Sequence, residues 1–376
     1  MTNNKVVVAG HVCIDITPVF SSNYVGNLKD ILAPGKLVHV EQADIHTGGA
    51  VANTGLAMKY FGADTKLIGK IGQDHIGELI LNILRKHEAG AEIIIDPDTS
   101  SSYTIVFATP GSDRFFLHNP GANDIFFAED VKDEVLKETT LFHFGYPPIM
   151  KSMYQNNGDE LLRLFKKVKG YNVATSLDMA AIDADSGAGK IDWEKILRKV
   201  LPFVDFFVPS VEELGYMLDK NKYDSWLVRA DGKDITSILS VNKDVKPLAD
   251  KLINMGAKVV LIKCGAAGMY FRTADKTVLL DIGANLSIQV DTWANQEGFE
   301  NSYQPEKVLS ATGAGDTSVA AFLKAVLDGY PLSKCMQFAT ATGSLCVASY
   351  DALSGLRTFS EIEEIINRGW VKQDLS

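Results

Sequence analysis

The stretch Ala311-Thr312-Gly313-Ala314-Gly315-Asp316-Thr317 carries the strongest indication of fold and chemistry in this sequence. Apolar residues follow it at helical spacing, so a loop of small residues opens a helix. Glycine lets the backbone approach an anion closely, and the unpaired N–H groups of a first helical turn would point at that anion. The loop therefore predicts a phosphate-binding site formed by Gly313, Ala314 and Gly315.

Asp316 is the unusual member of this loop, because a carboxylate beside a bound phosphate repels it unless it has another task. One such task is to take a proton from an attacking hydroxyl, as a general base does in phosphoryl transfer. The alternative is structural, since a carboxylate in the first turn favours the helix dipole and glycines permit a tight turn. The spacing alone leaves both interpretations open.

A P-loop is excluded, because Gly62 is separated from Gly69-Lys70 by six residues and no Ser or Thr follows the lysine.

Composition narrows the class of protein. The chain has 376 residues, of which 46% are hydrophobic and 22% are charged, as in folded globular proteins. The formal net charge of −10 provides no broad basic surface, so nucleic acid is not an expected partner. The four cysteines form no CxxC pair, which favours a reducing, cytoplasmic location. No apolar run reaches about 18 residues, so no membrane association is expected.

Short, mostly apolar runs alternate with amphipathic stretches along the chain, which is typical of buried parallel strands separated by helices. One helical pattern runs from Ile76 to Leu84, and Gly90 follows it as a stop. The alternation predicts an α/β fold in which helices cover both faces of a doubly wound, mostly parallel sheet. The predicted strands are residues 5–9, 66–71, 141–144, 173–178, 203–208 and 258–263.

One region breaks this alternation and predicts a small antiparallel sheet beside the main one. Residues 36–41, 103–108 and 114–118 have strand patterns, and Pro110-Gly111-Ser112-Asp113 supplies a turn between the last two. We interpret the segments at about 12–45 and 98–122 as a lid on a single domain spanning residues 1–376. Two polar segments, about 219–245 and 284–307, lack strong periodicity and are predicted to be surface insertions.

A second glycine cluster, His46-Thr47-Gly48-Gly49-Ala50-Val51-Ala52-Asn53, precedes an apolar helical stretch. Its glycines expose backbone N–H groups, and the Asn53 amide both donates and accepts hydrogen bonds, which is the mixture that a polyol requires. Asp15, just beyond the first strand, can accept from two neighbouring hydroxyls. A helix start with a capping asparagine explains the same residues structurally, so this cluster alone decides nothing.

Five short motifs follow one another through most of the chain. They are Gly10-x4-Asp15, Gly48-Gly49-x3-Asn53, Ile68-Gly69-Lys70-Ile71-Gly72-Gln73-Asp74-x2-Gly77, Lys263-Cys264-Gly265-x2-Gly268 and Thr312-Gly313-Ala314-Gly315-Asp316. Their order and rough spacing resemble those of the ribokinase-like (PfkB) carbohydrate kinases. The resemblance implies an α/β/α domain with a small β-sheet lid. It also implies transfer of the ATP γ-phosphate to a hydroxymethyl group of a sugar or related alcohol, with ATP and Mg²⁺ as cofactors.

By position, the resemblance implies a role for each motif. Asp316 matches the catalytic base, and Gly313 to Gly315 match the anion hole. Asp178 and Glu213 match acidic residues near Mg²⁺ and the phosphates. The sugar contacts implied are Asp15, Gly48, Gly49 and Asn53, and those to the nucleotide are Lys263, Gly265, Gly268 and Thr312. The family also suggests a homodimer formed through the lid.

Several positions depart from the family pattern. Ser210 replaces the Asn of the N-x-x-E motif, which makes Glu213 a weaker, water-mediated metal contact. Ser310 stands where many members have an Asp that helps to hold a monovalent cation, so dependence on that cation is doubtful. Ala50 replaces a lysine of ribokinase, and Gly145 lies near the position of its sugar-binding Glu. Ribose is therefore not the favoured substrate.

Two further side chains are candidates for the substrate site, each with a structural alternative. Arg114 on the lid is placed to bind an anionic group, or is a solvated hairpin residue. His143 ends a strand, where open α/β sheets bind ligands, or is a hydrogen-bonded core histidine. The histidines show no paired metal-ligand spacing, so zinc is not expected.

Two other functions stay open. A nucleoside kinase of the same fold needs an aromatic wall for the base, which Tyr24, Phe116 or Tyr146 would supply. A catalytically silent sugar-binding regulatory protein would explain the departures at Ser210 and Ser310, although a pure binder has no need of a base beside an anion hole.

Overall fold

A computed structural model describes residues 5–20, 33–107, 115–284, 286 and 288–373. The strands are β1 (Lys5–Gly10), β2 (Cys13–Thr17), β3 (Asp44–Gly48), β4 (Asp64–Ile68), β5 (Lys70–Gly72), β6 (Ile94–Asp96), β7 (Tyr103–Phe107), β8 (Phe115–Asn119), β9 (Leu141–Gly145), β10 (Ala174–Asp178), β11 (Phe206–Phe207), β12 (Val259–Lys263), β13 (Gly268–Thr273) and β14 (Glu297–Asn301).

The α-helices alternate with these strands through most of the chain. They are α1 (Ala50–Tyr60), α2 (His75–Lys86), α3 (Asp133–Leu136), α4 (Lys151–Lys169), α5 (Trp193–Val200), α6 (Val211–Leu218), α7 (Lys220–Ala230), α8 (Lys246–Asn254), α9 (Lys276–Leu279), α10 (Val290–Trp293), α11 (Ala314–Leu327), α12 (Leu332–Cys346) and α13 (Phe359–Asn367). Among the described residues, none of the helices has the length and apolar character to cross a membrane.

Eight strands form the main sheet, in the order β14-β13-β12-β11-β10-β9-β1-β4. The six from β12 to β4 are parallel, and β13 and β14 add an antiparallel edge. Parallel strands end at one edge of a sheet, and the register places Gly10 beside Gly145 and Gly145 beside Asp178. Open α/β sheets bind ligands at this carboxyl edge.

Both faces of the main sheet are covered by helices, which confirms the predicted doubly wound architecture. One apolar core packs around Phe142, Phe144 and Phe165 on the α4 side. The other packs around Val8, Phe206 and Phe322, with α1, α11 and α12. The sequences of these strands are apolar at nearly every position because side chains from both faces of the sheet are buried in these two cores.

A separate sheet of four strands has the order β3-β2-β7-β8, which confirms the predicted small sheet. It is mixed rather than antiparallel throughout, because β2 and β7 run parallel. The predicted strand at residues 36–41 does not form, and the sheet instead contains β3 at Asp44–Gly48. Leu37 is 81% exposed, so the alternating pattern of residues 36–41 has no apolar surface to pack against. The predicted turn at Pro110 to Asp113 lies outside the described residues.

The two predicted insertions contribute more to the core than their polar composition indicates. Residues 219–245 include α7, whose Trp226 is fully buried and donates from Nε1 to Asp244 Oδ1 at 3.2 Å. Residues 284–307 include β14, the edge strand of the main sheet, together with the buried Trp293 and Tyr303. A single large aromatic side chain can anchor a polar segment without creating an apolar period, so the pattern did not reveal these contacts.

Candidate active site

The loop quoted first leads directly into α11 and presents a helix N-terminus at the carboxyl edge of the sheet. Gly313 has φ 73°, and a side chain on it would overlap Ala352, so the bend requires glycine. The helical hydrogen bonds begin with the Thr317 N–H, which donates to Gly313 O at 2.9 Å. The N–H groups of Gly315 and Asp316 therefore precede the helical ladder, which is the geometry of an anion-binding helix start.

Asp316 is only 4% exposed, and three side chains donate hydrogen bonds to its carboxylate. Asn53 Nδ2 lies 3.0 Å from Oδ2, and Thr54 Oγ1 lies 3.3 Å from Oδ1. The Tyr146 hydroxyl lies 2.7 Å from Oδ1 and 2.8 Å from Oδ2. These donors compensate for the burial of a carboxylate and fix its orientation.

Sequence reasoning placed Asn53 near this site but missed the contacts of Thr54 and Tyr146. Tyr146 was considered only as an aromatic wall for a nucleoside base. Its position directly after Gly145, at the end of β9, was the available signal, because that strand end lies at the ligand edge of the sheet. The Tyr146 pKa is raised well above its ordinary value by burial and by the neighbouring Asp316, Asp178 and Glu213 carboxylates, so the phenol keeps its proton.

Lys263 and Asp178 form an ion pair beside the loop. The Lys263 ammonium lies 2.7 and 2.8 Å from the two oxygens of the fully buried Asp178 carboxylate. Burial raises the pKa of Asp178 to about 7 against the opposing charge of Lys263. Burial lowers the pKa of Lys263, but the carboxylates of Asp178 and Glu213 raise it above its ordinary value. A β-carbon on Gly315 would lie 3.7 Å from Lys263 Nζ, so this cation borders the anion-binding loop.

Glu213 takes part in a capping box at the start of α6. Its carboxylate accepts from the Ser210 N–H at 2.7 Å, and the Ser210 hydroxyl accepts from the Glu213 N–H at 3.2 Å. Ser210, which departs from the family pattern, therefore has a structural task of its own. Within the described ranges no group of three or more His, Cys, Asp or Glu side chains is arranged to hold a metal ion. Two neighbouring carboxylates, Asp178 and Glu213, fit Mg²⁺ that is held mainly by waters and substrate phosphates.

The predicted sugar contacts make close approaches around the starts of β2 and α1. Gly48 allows close approach of Asp15, because a side chain on Gly48 would overlap the Asp15 carboxylate. Burial raises the Asp15 pKa, although Cys13 Sγ donates to Asp15 Oδ1 at 3.3 Å and opposes the rise. Gly145 abuts Ala50, since a β-carbon on Gly145 would overlap the Ala50 methyl group. Gly49 lies against the His11 ring.

The remaining predicted residues lie in three places. Gly265 and Gly268 are in the tight turn that joins β12 to β13. Thr312 lies in the loop before α11, where its N–H donates to Ser310 Oγ at 3.1 Å. Arg114 and Tyr24 lie outside the described residues.

Two buried histidines flank the site. His143 donates or accepts at Nδ1 with Ser176 Oγ at 2.9 Å, whereas its buried Nε2 has no hydrogen-bond partner in the described part of the chain. His11, which sequence analysis did not select, is 2% exposed, and its Nδ1 is likewise unpartnered there. Burial lowers the pKa of His11 well below its ordinary value, so both imidazoles are neutral at pH 7.

The histidine environment predicts a pH dependence of stability. Burial lowers the pKa of His143 from 6.5 to about 3, so below pH 6.5 the unfolded chain takes up a proton that the folded chain refuses. The neutral His143 side chain therefore contributes fully to the unfolding free energy above pH 6.5, and this contribution is lost as the pH falls toward 3. The loss of unfolding free energy between pH 7.5 and 5.5 should be about 1 kcal/mol smaller in His143→Asn than in the wild type. Urea titrations at both pH values measure this, with exposed His87→Asn as the control; equal losses in His143→Asn and wild type would contradict it.

Comparison with known proteins places this geometry among carbohydrate kinases. A family model described as pfkB family carbohydrate kinase matches residues 3–358. An uncharacterized sugar kinase of Archaeoglobus fulgidus is 23% identical, with 80% of this chain and 98% of that protein covered. A 5-dehydro-2-deoxygluconokinase of Clostridium perfringens is 22% identical, with 96% and 93% covered.

Solved structures share the fold. A putative ribokinase II from E. coli in complex with ATP and Mg²⁺ has a TM-score of 0.67 at 19% identity, covering 97% of this chain and 99% of that one. A nucleoside kinase of Burkholderia thailandensis in complex with inosine has a TM-score of 0.66 at 16% identity, covering 98% and 100%.

Proposed function

The chain belongs to the pfkB family of carbohydrate kinases, and from this membership we propose that it transfers the γ-phosphate of ATP to a hydroxymethyl group of a sugar or sugar derivative. The observation that carries the proposal is the position of Asp316. Its carboxylate is buried, oriented by three donors and adjacent to the helix N-terminus that would hold the transferring phosphoryl group. A base beside an anion hole is the arrangement that transfer to an alcohol requires.

In the proposed reaction the substrate hydroxyl lies between Asp316 and the γ-phosphorus. The hydroxyl oxygen bonds to phosphorus, the bond from phosphorus to the bridging oxygen breaks, and ADP leaves with that electron pair. Asp316 accepts the hydroxyl proton. Gly313, Ala314 and Gly315 form the proposed anion hole, in which the N–H groups of Gly315 and Asp316 at the start of α11 stabilise the charge on the transferring group, and Lys263 adds a cation beside them. Asp15, Gly48, Gly49, Asn53 and Gly145 line the sugar side, and Arg114 is proposed to reach it.

The nucleotide and metal would lie on the opposite side of the loop. We assign Lys263, Gly265, Gly268 and Thr312 to the nucleotide. Asp178 and Glu213 would face Mg²⁺, with Glu213 acting through water because its carboxylate already caps α6. Mg²⁺ held there would neutralise part of the charge on the phosphates.

We further propose a cytoplasmic homodimer. The four cysteines are free and buried, which suits a reducing compartment. The small sheet exposes Ile45, Phe115 and Leu117 by 46%, 40% and 45% of their surfaces, and a second copy would cover them. Light scattering tests this: a monomeric mass would exclude the dimer.

Nucleoside phosphorylation is the second candidate, because a nucleoside kinase shares this fold. The Tyr146 hydroxyl is engaged by Asp316, so this side chain is a poor candidate for a free base-stacking wall. Phe116, which is 51% exposed on β8, stays a candidate for that wall. A silent sugar-binding protein is less well supported, since it gains nothing from a carboxylate oriented beside an anion hole.

The test is ADP release by the purified protein with ATP, Mg²⁺ and a panel of sugars, sugar acids, polyols and nucleosides. We expect turnover on a sugar-like alcohol at least about tenfold above the rate without acceptor. Turnover on nucleosides alone would favour the second candidate. If no compound is phosphorylated while a sugar still raises the melting temperature, the silent sugar-binding function is correct and the kinase proposal is wrong.

A further inference from the structure

The Tyr146 hydroxyl lies within hydrogen-bond distance of both carboxylate oxygens of the proposed base. A phenol has one proton, yet its oxygen lies 2.7 and 2.8 Å from the two oxygens of Asp316, so both oxygens share that proton. Asn53 and Thr54 donate to the same two oxygens. The carboxylate is therefore surrounded by donors before any substrate is bound. A substrate hydroxyl that gives its proton to Asp316 must take one of these positions.

Of these donors, Tyr146 has the strongest constraints on its backbone. Its φ of 74° lies in the left-handed region, which is costly for a residue with a large side chain. Its N–H donates to Asp178 O at 3.2 Å, and Pro147 follows it. The ring packs 6.0 Å from the His11 ring. The left-handed backbone and the hydrogen bond to Asp178 set the direction in which the Tyr146 side chain leaves the backbone, and its hydroxyl reaches Asp316.

We propose that Tyr146 is a positioning residue that restrains Asp316 until a substrate hydroxyl displaces the phenol from the carboxylate. The proposal rests on the proposed kinase function. Such a restraint would suppress the hydrolysis of ATP by water while no acceptor is bound. In that side reaction a water oxygen would bond to the γ-phosphorus, ADP would leave with the electron pair of the broken bond, and Asp316 would take the water proton.

Tyr146→Phe tests the proposal, because it removes the hydroxyl and keeps the ring. ATP hydrolysis without acceptor should rise about fivefold or more, since the carboxylate is free to accept a proton from water. The KM of the sugar substrate should fall by about threefold or more, because binding no longer displaces a hydrogen bond. The kcat for transfer should stay within about threefold of wild type. A substitution that only disturbed the folded structure would not lower the KM of the sugar substrate.

Two further variants make the result specific. Tyr154→Phe makes the same chemical change on α4, where Tyr154 packs against Trp193, and should alter neither hydrolysis nor KM. In the double variant Tyr146→Phe with Asp316→Asn, the extra hydrolysis should disappear, because it depends on the freed carboxylate. Thermal melting of each variant checks that the fold is retained.

The proposal is overturned if Tyr146→Phe is folded but leaves hydrolysis and KM unchanged. It is also overturned if both hydrolysis and transfer fall more than about tenfold, since Tyr146 would then assist the chemistry directly. Extra hydrolysis that persists in the double variant would show that Asp316 is not the restrained group. If the wild type phosphorylates no acceptor, the kinase function fails separately, and the hydrolysis rates alone decide the role of Tyr146.

Discussion

Replacing Asp316 by asparagine should lower kcat by at least about 10²-fold and leave the KM of both substrates little changed. Asparagine keeps the size and shape of the side chain, so the hydroxyl and the phosphate still bind beside it. It cannot take the proton of the attacking hydroxyl, and that loss is felt in the transition state. ADP release measured with the best acceptor of the panel gives both constants.

The control for this variant is Asp328→Asn, which makes the same change at the far end of α11. Asp328 pairs with Lys324 one helical turn away, and its replacement should leave kcat within about twofold of wild type. The role of Asp316 as base is contradicted if Asp316→Asn keeps more than a tenth of wild-type turnover. Melting curves should be similar for the two variants, because the asparagine carbonyl can still accept a hydrogen bond from Tyr146.

The sequence predicted the six parallel strands of the main sheet and the edge at which the candidate site lies, because both follow from local patterns, but not the antiparallel strands β13 and β14. Buried parallel strands produce continuous apolar runs, and Gly10, Gly145, Asp178 and Lys263 each close such a run. Parallel strands end together, so these residues had to meet at one edge. The glycine loop before α11 was recognisable for the same reason, since a positive φ and a close approach both demand glycine.

Side-chain contacts between distant segments were not predictable in this way. Tyr146 and Asp316 are 170 residues apart, and their contact depends on how the end of β9 and the start of α11 face each other across the sheet edge. No period or spacing within either segment encodes that distance. Trp226 and Trp293 escaped detection for a related reason, because each anchors a polar segment through one side chain.

Lys263→Met should produce the second large effect, a combined loss of activity and stability. The side chain keeps its length but leaves the buried Asp178 carboxylate without its counter-ion. Breaking a buried ion pair in this way costs about 3 kcal/mol of unfolding free energy at pH values above about 7, where the wild-type Asp178 carboxyl is ionised. Turnover should fall by at least about 10²-fold, because the cation beside Gly315 no longer stabilises the transferring phosphoryl group.

The stability loss in Lys263→Met should depend on pH in a direction that identifies its cause. The pKa of Asp178 is about 7 even with Lys263 present, and removal of the lysine raises it further. A carboxyl whose folded pKa exceeds its unfolded pKa binds its proton more tightly in the folded state. Wild type and variant therefore both lose stability as the pH rises from about 4 to 7, and above about pH 7 only the variant continues to lose it. The deficit of the variant relative to wild type should be smaller in urea titrations at pH 5.5 than in those at pH 8.

A double variant separates the structural role of this pair from its catalytic role. Lys263→Met with Asp178→Asn removes the unpaired charge, so most of the lost stability and the added pH dependence should be restored. Turnover should not be restored, because the double variant lacks both the cation beside the anion-binding loop and the Asp178 carboxylate that we assign to Mg²⁺. Recovery of turnover together with stability would contradict this assignment and make the pair purely structural. Because Lys263 contacts Asp178 and lies 3.7 Å from the place of a Gly315 β-carbon, one ammonium group would serve both the buried acid and the proposed phosphate site.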